Sequence, residues 1–353
     1  MRAISVDDLQ PGMILARTLV NDDMVVIFSE DTVLSKAHIT RLTFLNIPVV
    51  YIKDDTELNK NQADPSVFNR GNAFVKEYEG VVDTAKNILG NFGKGKPEAA
   101  EQARAVVTQN LLPMSKESGV IDYLFDINHL ASDVYNHSLR VSILAGVIAK
   151  WMHFSQAKTK DLILAGFLHD IGKSKFTQRL LDKNVGTLQG QDYEDYIKHT
   201  VDGQQILSNM PGISDGVKLA AMQHHERSDG SGFPFGVGAA DIHEFARIIA
   251  IADIYDNITT EREGYIKQTP FDAIDYITEN MFRSLDPTVC VPVLTHIKDA
   301  FLGSRITLSN GLSGIIASFP NDFAARPIVS FSTGEIVNLN DHPDIQIIEY
   351  NPK

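Results

Sequence analysis

Cysteine is nearly absent from the chain, since Cys290 is the single thiol among 353 residues. One cysteine excludes an intramolecular disulfide, and a reducing cytoplasm is the expected location. The N-terminal residues lack the apolar core of a secretory signal, and no apolar run approaches the roughly 18 residues that a membrane-spanning helix needs. We therefore expect a cytoplasmic protein without membrane insertion.

Basic residues are also scarce. The chain has 32 Lys and Arg against 45 Asp and Glu, which gives a formal net charge of −13. Binding a nucleic-acid polymer requires concentrated Lys and Arg to neutralise phosphates, so we expect no such polymer as a main partner. A small nucleotide is not excluded, because a local pocket can bind it.

The hydrophobic pattern divides the chain into three predicted regions. Residues 1–114 form an accessory module, which is β-rich over 1–52 and continues as a linker and helices over 53–114. Residues 115–303 have helical periodicity throughout, and residues 304–353 return to short strands. The predicted fold class is mainly α, with a small α/β module before the helical core and a short β appendage after it.

Within these regions the finer pattern predicts individual elements. The polar stretch 53–71, which contains Pro65, is typical of a linker or loop. Helical periodicity runs from Phe74 to about Leu112 and is interrupted near Gly93. Strands are predicted at 24–28, 49–52, 306–308, 314–316, 327–331 and 345–348.

Five histidines and two aspartates fall on the inward faces of successive predicted helices. His137, for example, shares an apolar stripe with Val141, Leu144 and Ile148. Neutral imidazole and carboxylate are the ligands that divalent transition metals take, and burying such groups without partners is costly. One inward histidine is more often a hydrogen-bonded core residue than a ligand, but this many together favour more than one metal ion. The seven candidate ligands are His137, His169, Asp170, His199, His224, His225 and Asp253.

Three sequence strings occur in order through the helical region. Residues 167–173 read FLHDIGK, residues 224–234 read HHERSDGSGFP, and residues 246–256 read ARIIAIADIYD. The first resembles the signature of HD-domain metal-dependent phosphohydrolases, and the other two resemble the narrower HD-GYP family. The resemblance spans about residues 115–302. A weaker one, LQPGM at residues 9–13, is similar to a domain that often precedes HD-GYP regions.

The HD-GYP resemblance implies a fold, an activity and a cofactor. The fold is an HD-domain helical bundle, and the activity is hydrolysis of the bacterial second messenger cyclic di-GMP to pGpG or GMP. The cofactor is two divalent ions, iron or alternatively manganese, held by the seven candidate ligands with Asp170 as the bridge. Members with a third ion have a glutamate where this chain has Asp133, so we favour two. A diguanylate cyclase or another signalling protein is the implied protein partner.

Substrate contacts are carried over from the same resemblance. Lys173 follows the His-Asp pair at the family spacing, so we expect it to contact a phosphate oxygen and to act in catalysis with Asp170. Arg262 matches a family arginine that contacts phosphate. Asp229 and Gly230 lie in the glycine-rich loop after the histidine doublet and are further candidate contacts. Asp229 alternatively caps a turn.

Departures from the family pattern keep two alternatives open. Phe233 replaces the tyrosine of the Gly-Tyr-Pro triplet and lacks its hydroxyl, Tyr265 replaces a basic residue, and Glu263 adds negative charge. These changes weaken the expected grip on an anionic dinucleotide. One alternative is therefore a sensor or interaction module that binds metal and cyclic dinucleotide without turnover. The other is an HD hydrolase of a different nucleotide.

Overall fold

A computed structural model gives the fold of two compact units, Met1–Asn72 and Ala73–Lys353. It describes residues 65–352 apart from 128–132, 182, 184, 262–266 and 322–323. Before residue 65 it describes 2–6, 9–10, 13–17, 19–20, 26–28, 32, 34, 38–39, 42–43, 47 and 49–52. The predicted boundaries at residues 114/115 and 303/304 lie inside the second unit and stay predictions.

The described residues of the first unit include two small antiparallel pairs of strands. Strand β1 (Arg2–Ser5) pairs with β4 (Val49–Ile52), and β2 (Leu19–Val20) pairs with β3 (Val26–Phe28). Alternate residues of β4 are buried, as expected for a strand with one face on a core. The strand predicted at 49–52 is confirmed, and β3 covers the last three residues of the one predicted at 24–28. Residues 24 and 25 lie outside the described part.

The rest of the chain is mainly helical, as predicted. Its α-helices in chain order are α1 (Pro65–Gly93), α2 (Glu98–Val106), α3 (Val120–Ile127), α4 (Val134–Trp151), α5 (Gln156–Leu168), α6 (Gln178–Leu181), α7 (Gln191–Ser208), α8 (Asp215–Gln223), α9 (Glu244–Thr259), α10 (Pro270–Asn280) and α11 (Pro287–Phe301). Helix α2 continues through a π-helical turn, Val107–Leu111, into Leu112–Met114. A short 3₁₀ segment, Ile171–Lys175, follows α5.

Helix α1 corrects the predicted linker at 53–71. The helix begins at Pro65, so residues 65–71 are helical, whereas 53–64 lie outside the described part. Proline is tolerated in the first turn of a helix because no hydrogen bond is lost there, so Pro65 marks a helix start and not a loop. The helix ends at Gly93, where the sequence predicted an interruption.

Side-chain caps fix where several helices begin. The Asp133 carboxylate accepts hydrogen bonds from the backbone N–H groups of Tyr135 and Asn136 at the start of α4. Thr269 and Asp272 form a reciprocal capping box at the start of α10. Each cap satisfies N–H groups that the first turn leaves without an intrahelical partner.

Five helices of the second unit surround one hydrophobic core. Helix α4 packs along α5, α8 packs against α5, α7 and α9, and α9 also contacts α4. The core continues from Phe74 in α1 to Tyr350 near the C-terminus. Among the described residues, no helix combines the length and hydropathy that crossing a lipid bilayer requires.

The C-terminal strands form one antiparallel sheet in the order β8-β7-β6-β5-β9. The strands are β5 (Arg305–Leu308), β6 (Ser313–Ser318), β7 (Ile328–Ser330), β8 (Ile336–Asn338) and β9 (Ile347–Asn351). The prediction missed β8 and placed β9 two residues early. The Tyr350 hydroxyl on β9 donates a hydrogen bond of 2.5 Å to Asp122 on α3, which joins the sheet to the helices.

Gly172 determines how closely the 3₁₀ segment packs on α7. A Cβ atom at this position would lie 1.9 Å from the His199 carbonyl oxygen and 2.7 Å from the Gly203 nitrogen. Only glycine fits there, because the atoms that would be met are backbone atoms. This contact places Asp170 and Lys173 beside His199.

Gly172→Ala should lower the free energy of unfolding by about 3 kcal/mol or more, because the two segments must separate. Urea unfolding of the metal-free protein measures the loss. Gly80→Ala is the matched control, since Gly80 is helical and exposed and an added Cβ meets nothing within 4 Å. That control should stabilise by about 0.5–1 kcal/mol. Equal effects of the two substitutions would contradict the packing account.

Candidate metal centre

The seven candidate ligands come together from five helices. His137 lies in the first turns of α4, His199 in the middle of α7 and Asp253 in α9. His169 and Asp170 follow the last residue of α5, and His224 and His225 follow the last residue of α8. All are buried except His225, which is half-buried. Helix ends and helix faces thus deliver side chains to one interior space.

The ligand atoms of these residues form two adjacent groups. In each group one nitrogen or carboxylate oxygen per residue lies within 4.8 Å of the others. One group is Asp170, His199, His224 and His225, and the other is His137, His169 and Asp253. The structure therefore brings together all seven residues that the sequence singled out.

Backbone carbonyls fix the protonation of three imidazoles. The Nδ1 atom of His169 lies 2.7 Å from the Gly166 oxygen, and that of His199 lies 2.6 Å from the Tyr196 oxygen. His224 Nδ1 lies 3.0 Å from the Ala221 oxygen. A carbonyl oxygen only accepts, so each Nδ1 carries the proton. In the neutral ring, each Nε2 then directs a lone pair into the shared space.

The Nε2 atoms of four histidines lie close together in this space. His137 Nε2 lies 3.2 Å from His169 Nε2, and His199 Nε2 lies 3.5 Å from His224 Nε2. Asp170 lies between the pairs, with Oδ2 3.4 Å from His169 Nε2 and Oδ1 3.4 Å from His199 Nε2. Asp170 Oδ1 and His225 Nε2 are buried without a hydrogen-bond partner among the described residues. A divalent cation satisfies such a set of donors, so the residues fit a metal.

The pKa values keep most of these groups in their metal-binding forms. Burial lowers the pKa of His169 to about 4 and that of His199 to about 3. Burial also holds the pKa of His225 well below its ordinary value. For Asp253 burial acts in the opposite direction, but the hydrogen bond and charge of His137 hold its pKa well below the usual range. Neutral imidazole and ionised carboxylate are the forms that bind metal.

Asp256 is a residue whose role the sequence did not reveal. Its Oδ2 lies 2.8 Å from His137 Nδ1, and it is buried. Burial alone would lower the pKa of His137, but hydrogen bonds to Asp253 and Asp256 raise it. A carboxylate on the far nitrogen of a ligand histidine fixes the ring and its tautomer. The available signal was its position three residues after Asp253, on the same face of α9.

Asp133, considered as a ligand for a third ion, belongs to neither group. Its Oδ1 atom caps helix α4 and also accepts a hydrogen bond from the Asn136 side chain at 3.0 Å. The preference for two ions over three stays a prediction.

A pocket of about 670 Å³ opens beside the two groups. The residues that line it include His225, Asp253 and Lys173. The Lys173 ammonium lies 2.5 Å from Asp170 Oδ2. Burial alone would lower the pKa of Lys173, but the Asp170 carboxylate raises it above its ordinary value, so Lys173 is a cation. The pocket wall further includes the rings of Tyr193, Tyr196 and Phe233.

Phe233 retains the packing role of an aromatic residue. Its ring lies 4.5 Å from the His225 ring and 6.2 Å from the Tyr196 ring, measured between centroids. Glu226, a buried residue that sequence reasoning missed, accepts backbone hydrogen bonds from Phe235 at 2.8 Å and Val237 at 3.1 Å. Its carboxylate thereby holds the loop that carries Phe233 against the site.

The other predicted substrate contacts are Asp229, Gly230 and Arg262. The Asp229 carboxylate accepts hydrogen bonds from the backbone and hydroxyl of Ser231, as in the turn-capping alternative. Gly230 has a φ of +76°, which glycine adopts readily. Neither residue is among the described residues that line the pocket. Arg262 lies outside the described part. All three substrate contacts stay predictions.

A family model matches the central part of this chain. Residues 126–289 match the family model of the HD domain, which bears out the resemblance to HD-domain proteins for this region. A solved structure of a HDG"Y"P protein from Bdellovibrio bacteriovorus aligns with a TM-score of 0.55 at 16% sequence identity. The alignment covers 84% of this chain and 99% of that one. At that identity, the likeness shows the fold.

Curated relatives match this chain at higher identity. A cyclic di-GMP phosphodiesterase from Pseudomonas aeruginosa is 30% identical, over 52% of this chain and 44% of that protein. A 3'3'-cGAMP-specific phosphodiesterase from Vibrio cholerae is 35% identical, over 43% and 32%. A cyclic di-GMP phosphodiesterase from Thermotoga maritima is 34% identical, over 40% of each. The chain thus spans less than half the length of these three relatives.

The lowered histidine pKa values predict that the metal-free protein loses stability in acid. Unfolded histidine has a pKa of 6.5, whereas His199 titrates at about 3 in the fold. Between these values the unfolded state binds more protons, so stability is full above pH 6.5 and falls as pH falls. By pH 5 the loss from one such histidine is about 2 kcal/mol. The raised pKa of His137 has the opposite sign and offsets part of this loss.

Urea unfolding of chelator-treated protein at pH 7 and pH 5 measures this effect. His199→Asn should lose about 2 kcal/mol less than the wild type between the two pH values. His296→Asn is the control, since His296 stacks on Trp151 and belongs to neither ligand group, and should follow the wild type. Equal pH dependence for all three proteins would contradict the assigned burial of neutral imidazoles.

Proposed function

We propose that this protein is a metal-dependent phosphodiesterase that hydrolyses cyclic di-GMP to pGpG or GMP through two divalent ions. The observation that carries the proposal is the convergence of five imidazoles and two carboxylates in two adjacent groups. The HD domain and the curated relatives named cyclic di-GMP phosphodiesterases support the reaction class. Less than half of each of these relatives is matched, so the activity is a proposal for this chain.

The donor set supports iron or manganese as the ions. Every candidate ligand offers nitrogen or oxygen and none offers sulfur. Imidazole with carboxylate suits divalent iron and manganese, and softer ions would favour thiolate ligands. Asp170 directs one oxygen toward each group, which supports its role as the bridging ligand. Two ions, when bound, lower the pKa of a water nucleophile and neutralise charge on phosphoryl oxygens.

The protein's own residues perform the remaining tasks. Lys173 carries a positive charge on the pocket wall beside Asp170, and this charge suits a non-bridging phosphate oxygen. Its ion pair with Asp170 also holds that carboxylate between the two histidine groups. The aromatic rings of Tyr193, Tyr196 and Phe233 offer flat faces on which a base can stack.

A second cyclic dinucleotide is a candidate substrate because of one observation. The relative from Vibrio cholerae, at 35% identity, is named for specificity toward 3'3'-cGAMP. The sensor alternative, in which the protein binds without turnover, rests on Phe233, which has no hydroxyl to donate. Partnership with a diguanylate cyclase stays a prediction, as does the cytoplasmic location.

Wild-type protein loaded anaerobically with Fe²⁺ or Mn²⁺ should convert cyclic di-GMP to a linear product, as followed by chromatography. The same assay with 3'3'-cGAMP separates the two substrates by kcat/KM. Asp170→Asn should abolish turnover and bind fewer ions, because the bridging carboxylate loses its charge. If metal-loaded wild type bound cyclic di-GMP but formed no product, the phosphodiesterase proposal would be rejected and the sensor alternative would be supported.

Lys173 is tested in the same assay. Lys173→Gln should lower kcat/KM by about 100-fold, equivalent to about 2.7 kcal/mol, through loss of a cation at the phosphate. Lys175→Gln is the matched control, because Lys175 belongs to the same 3₁₀ segment but is exposed and paired with Asp202. It should retain wild-type kinetics. Equal kinetics of the two variants would contradict the proposed role of Lys173 at the phosphate.

A further inference from the structure

A buried network of polar groups leads from helix α1 to His137. It consists of Tyr78, Asn136, Arg140 and Asp256, each at most 5% exposed. Tyr78 lies outside the HD-domain match at residues 126–289. The network therefore joins the predicted metal centre to an element that precedes the HD domain in sequence.

Arg140 and Asp256 form the part nearest to the metal ligands. Arg140 Nε lies 2.6 Å from Asp256 Oδ1, and Arg140 Nη2 lies 3.1 Å from Asp256 Oδ2. This two-pronged pairing fixes the plane of the carboxylate. Asp256 Oδ2 in turn lies 2.8 Å from His137 Nδ1. The orientation of the His137 ring thus depends on a carboxylate whose own orientation is set by Arg140.

Tyr78 completes the network from α1. Its hydroxyl donates to the carbonyl oxygen and the Oδ1 atom of Asn136, both at 3.1 Å. The Arg140 guanidinium hydrogen-bonds to the same hydroxyl. Asn136 directly precedes His137 on α4 and donates through its side chain to the capping residue Asp133. Tyr78 thus contacts the Arg140 guanidinium, which orients Asp256, and the backbone of Asn136, which directly precedes His137.

The chemistry of the network exceeds what packing alone requires. A buried Arg–Asp pair is costly to desolvate, and well-packed apolar side chains of similar volume often replace such a pair without loss of stability. The group that gains from the pair here is His137, because a hydrogen-bonded carboxylate orients a ligand imidazole. A fully satisfied polar network also fixes one arrangement of its members.

We propose that Tyr78 is a positioning residue for the metal position formed by His137, His169 and Asp253, and that it acts through Arg140 and Asp256. The proposal rests on the proposed metal centre. Helix α1 thereby becomes part of the support of the site. The last residue of α1, Gly93, lies close to the 3₁₀ segment that contains Lys173 and Ser174. A Cβ atom at Gly93 would lie 3.0 Å from Ser174 Cβ.

The test measures Mn²⁺ binding to the full chain by calorimetry, independently of turnover. The wild type should bind two ions, and His137→Ala identifies the class of site that depends on His137. Tyr78→Phe, which retains the ring and removes the hydroxyl, should weaken that class about tenfold and leave the other class unchanged. Asp256→Asn should weaken the same class about 10- to 100-fold, and the double variant should lose less than the product of the two effects.

Tyr350→Phe is the matched control. It removes another buried tyrosine hydroxyl, one that bonds Asp122 and Ser304 and no member of the network. Both Tyr→Phe variants should lower the Tm to a similar extent, but Tyr350→Phe should keep both Mn²⁺ affinities. Equal Mn²⁺ binding by Tyr78→Phe and Tyr350→Phe would overturn the positioning role while the metal centre stands. A wild type that takes up no Mn²⁺ would overturn the proposed function itself.

Discussion

Lone pairs that converge in a buried space are the constraint on which the rest of this structure depends. Backbone carbonyls hold the Nδ1 protons of His169, His199 and His224, so their Nε2 atoms direct lone pairs inward. Each of these Nε2 atoms lies within 3.7 Å of an Asp170 carboxylate oxygen. Without a cation this arrangement would be repulsive and poorly solvated. The helices, the 3₁₀ segment and the loop after α8 together hold these side chains in the buried space.

The architecture imposes this arrangement mainly through helix ends. His169 with Asp170 and His224 with His225 lie where α5 and α8 stop, so their free backbone carbonyls lie within reach of the imidazole Nδ1 atoms. The absence of a side chain at Gly172 lets the following segment approach α7 at contact distance. The Glu226 carboxylate then holds the loop with Phe233 across the pocket. Local backbone rules and one tertiary contact thus set the positions of most candidate ligands.

The sequence predicted the residues that occur at fixed spacing in helices and motifs. It did not predict contacts between residues that are far apart in the chain. Helical periodicity and the strings at residues 167–173, 224–234 and 246–256 identified all seven candidate ligands. Each ligand lies on an apolar stripe of a helix or at the end of such a stripe. Tyr78 could not be linked to Asn136, which lies 58 positions away, because no local pattern records such a pairing. Pro65 suggested a loop but begins a helix. Strand β8, a three-residue strand, was missed although β7, which is equally short, was predicted.

Anomalous scattering from crystals of Mn²⁺-loaded protein tests the central claim most directly. The measurement locates each ion and its ligands without reference to activity. The account predicts two peaks, one bounded by His137, His169 and Asp253 and the other by His199, His224 and His225, with Asp170 between them. A map without a peak at these residues, in crystals grown with excess Mn²⁺, would contradict it.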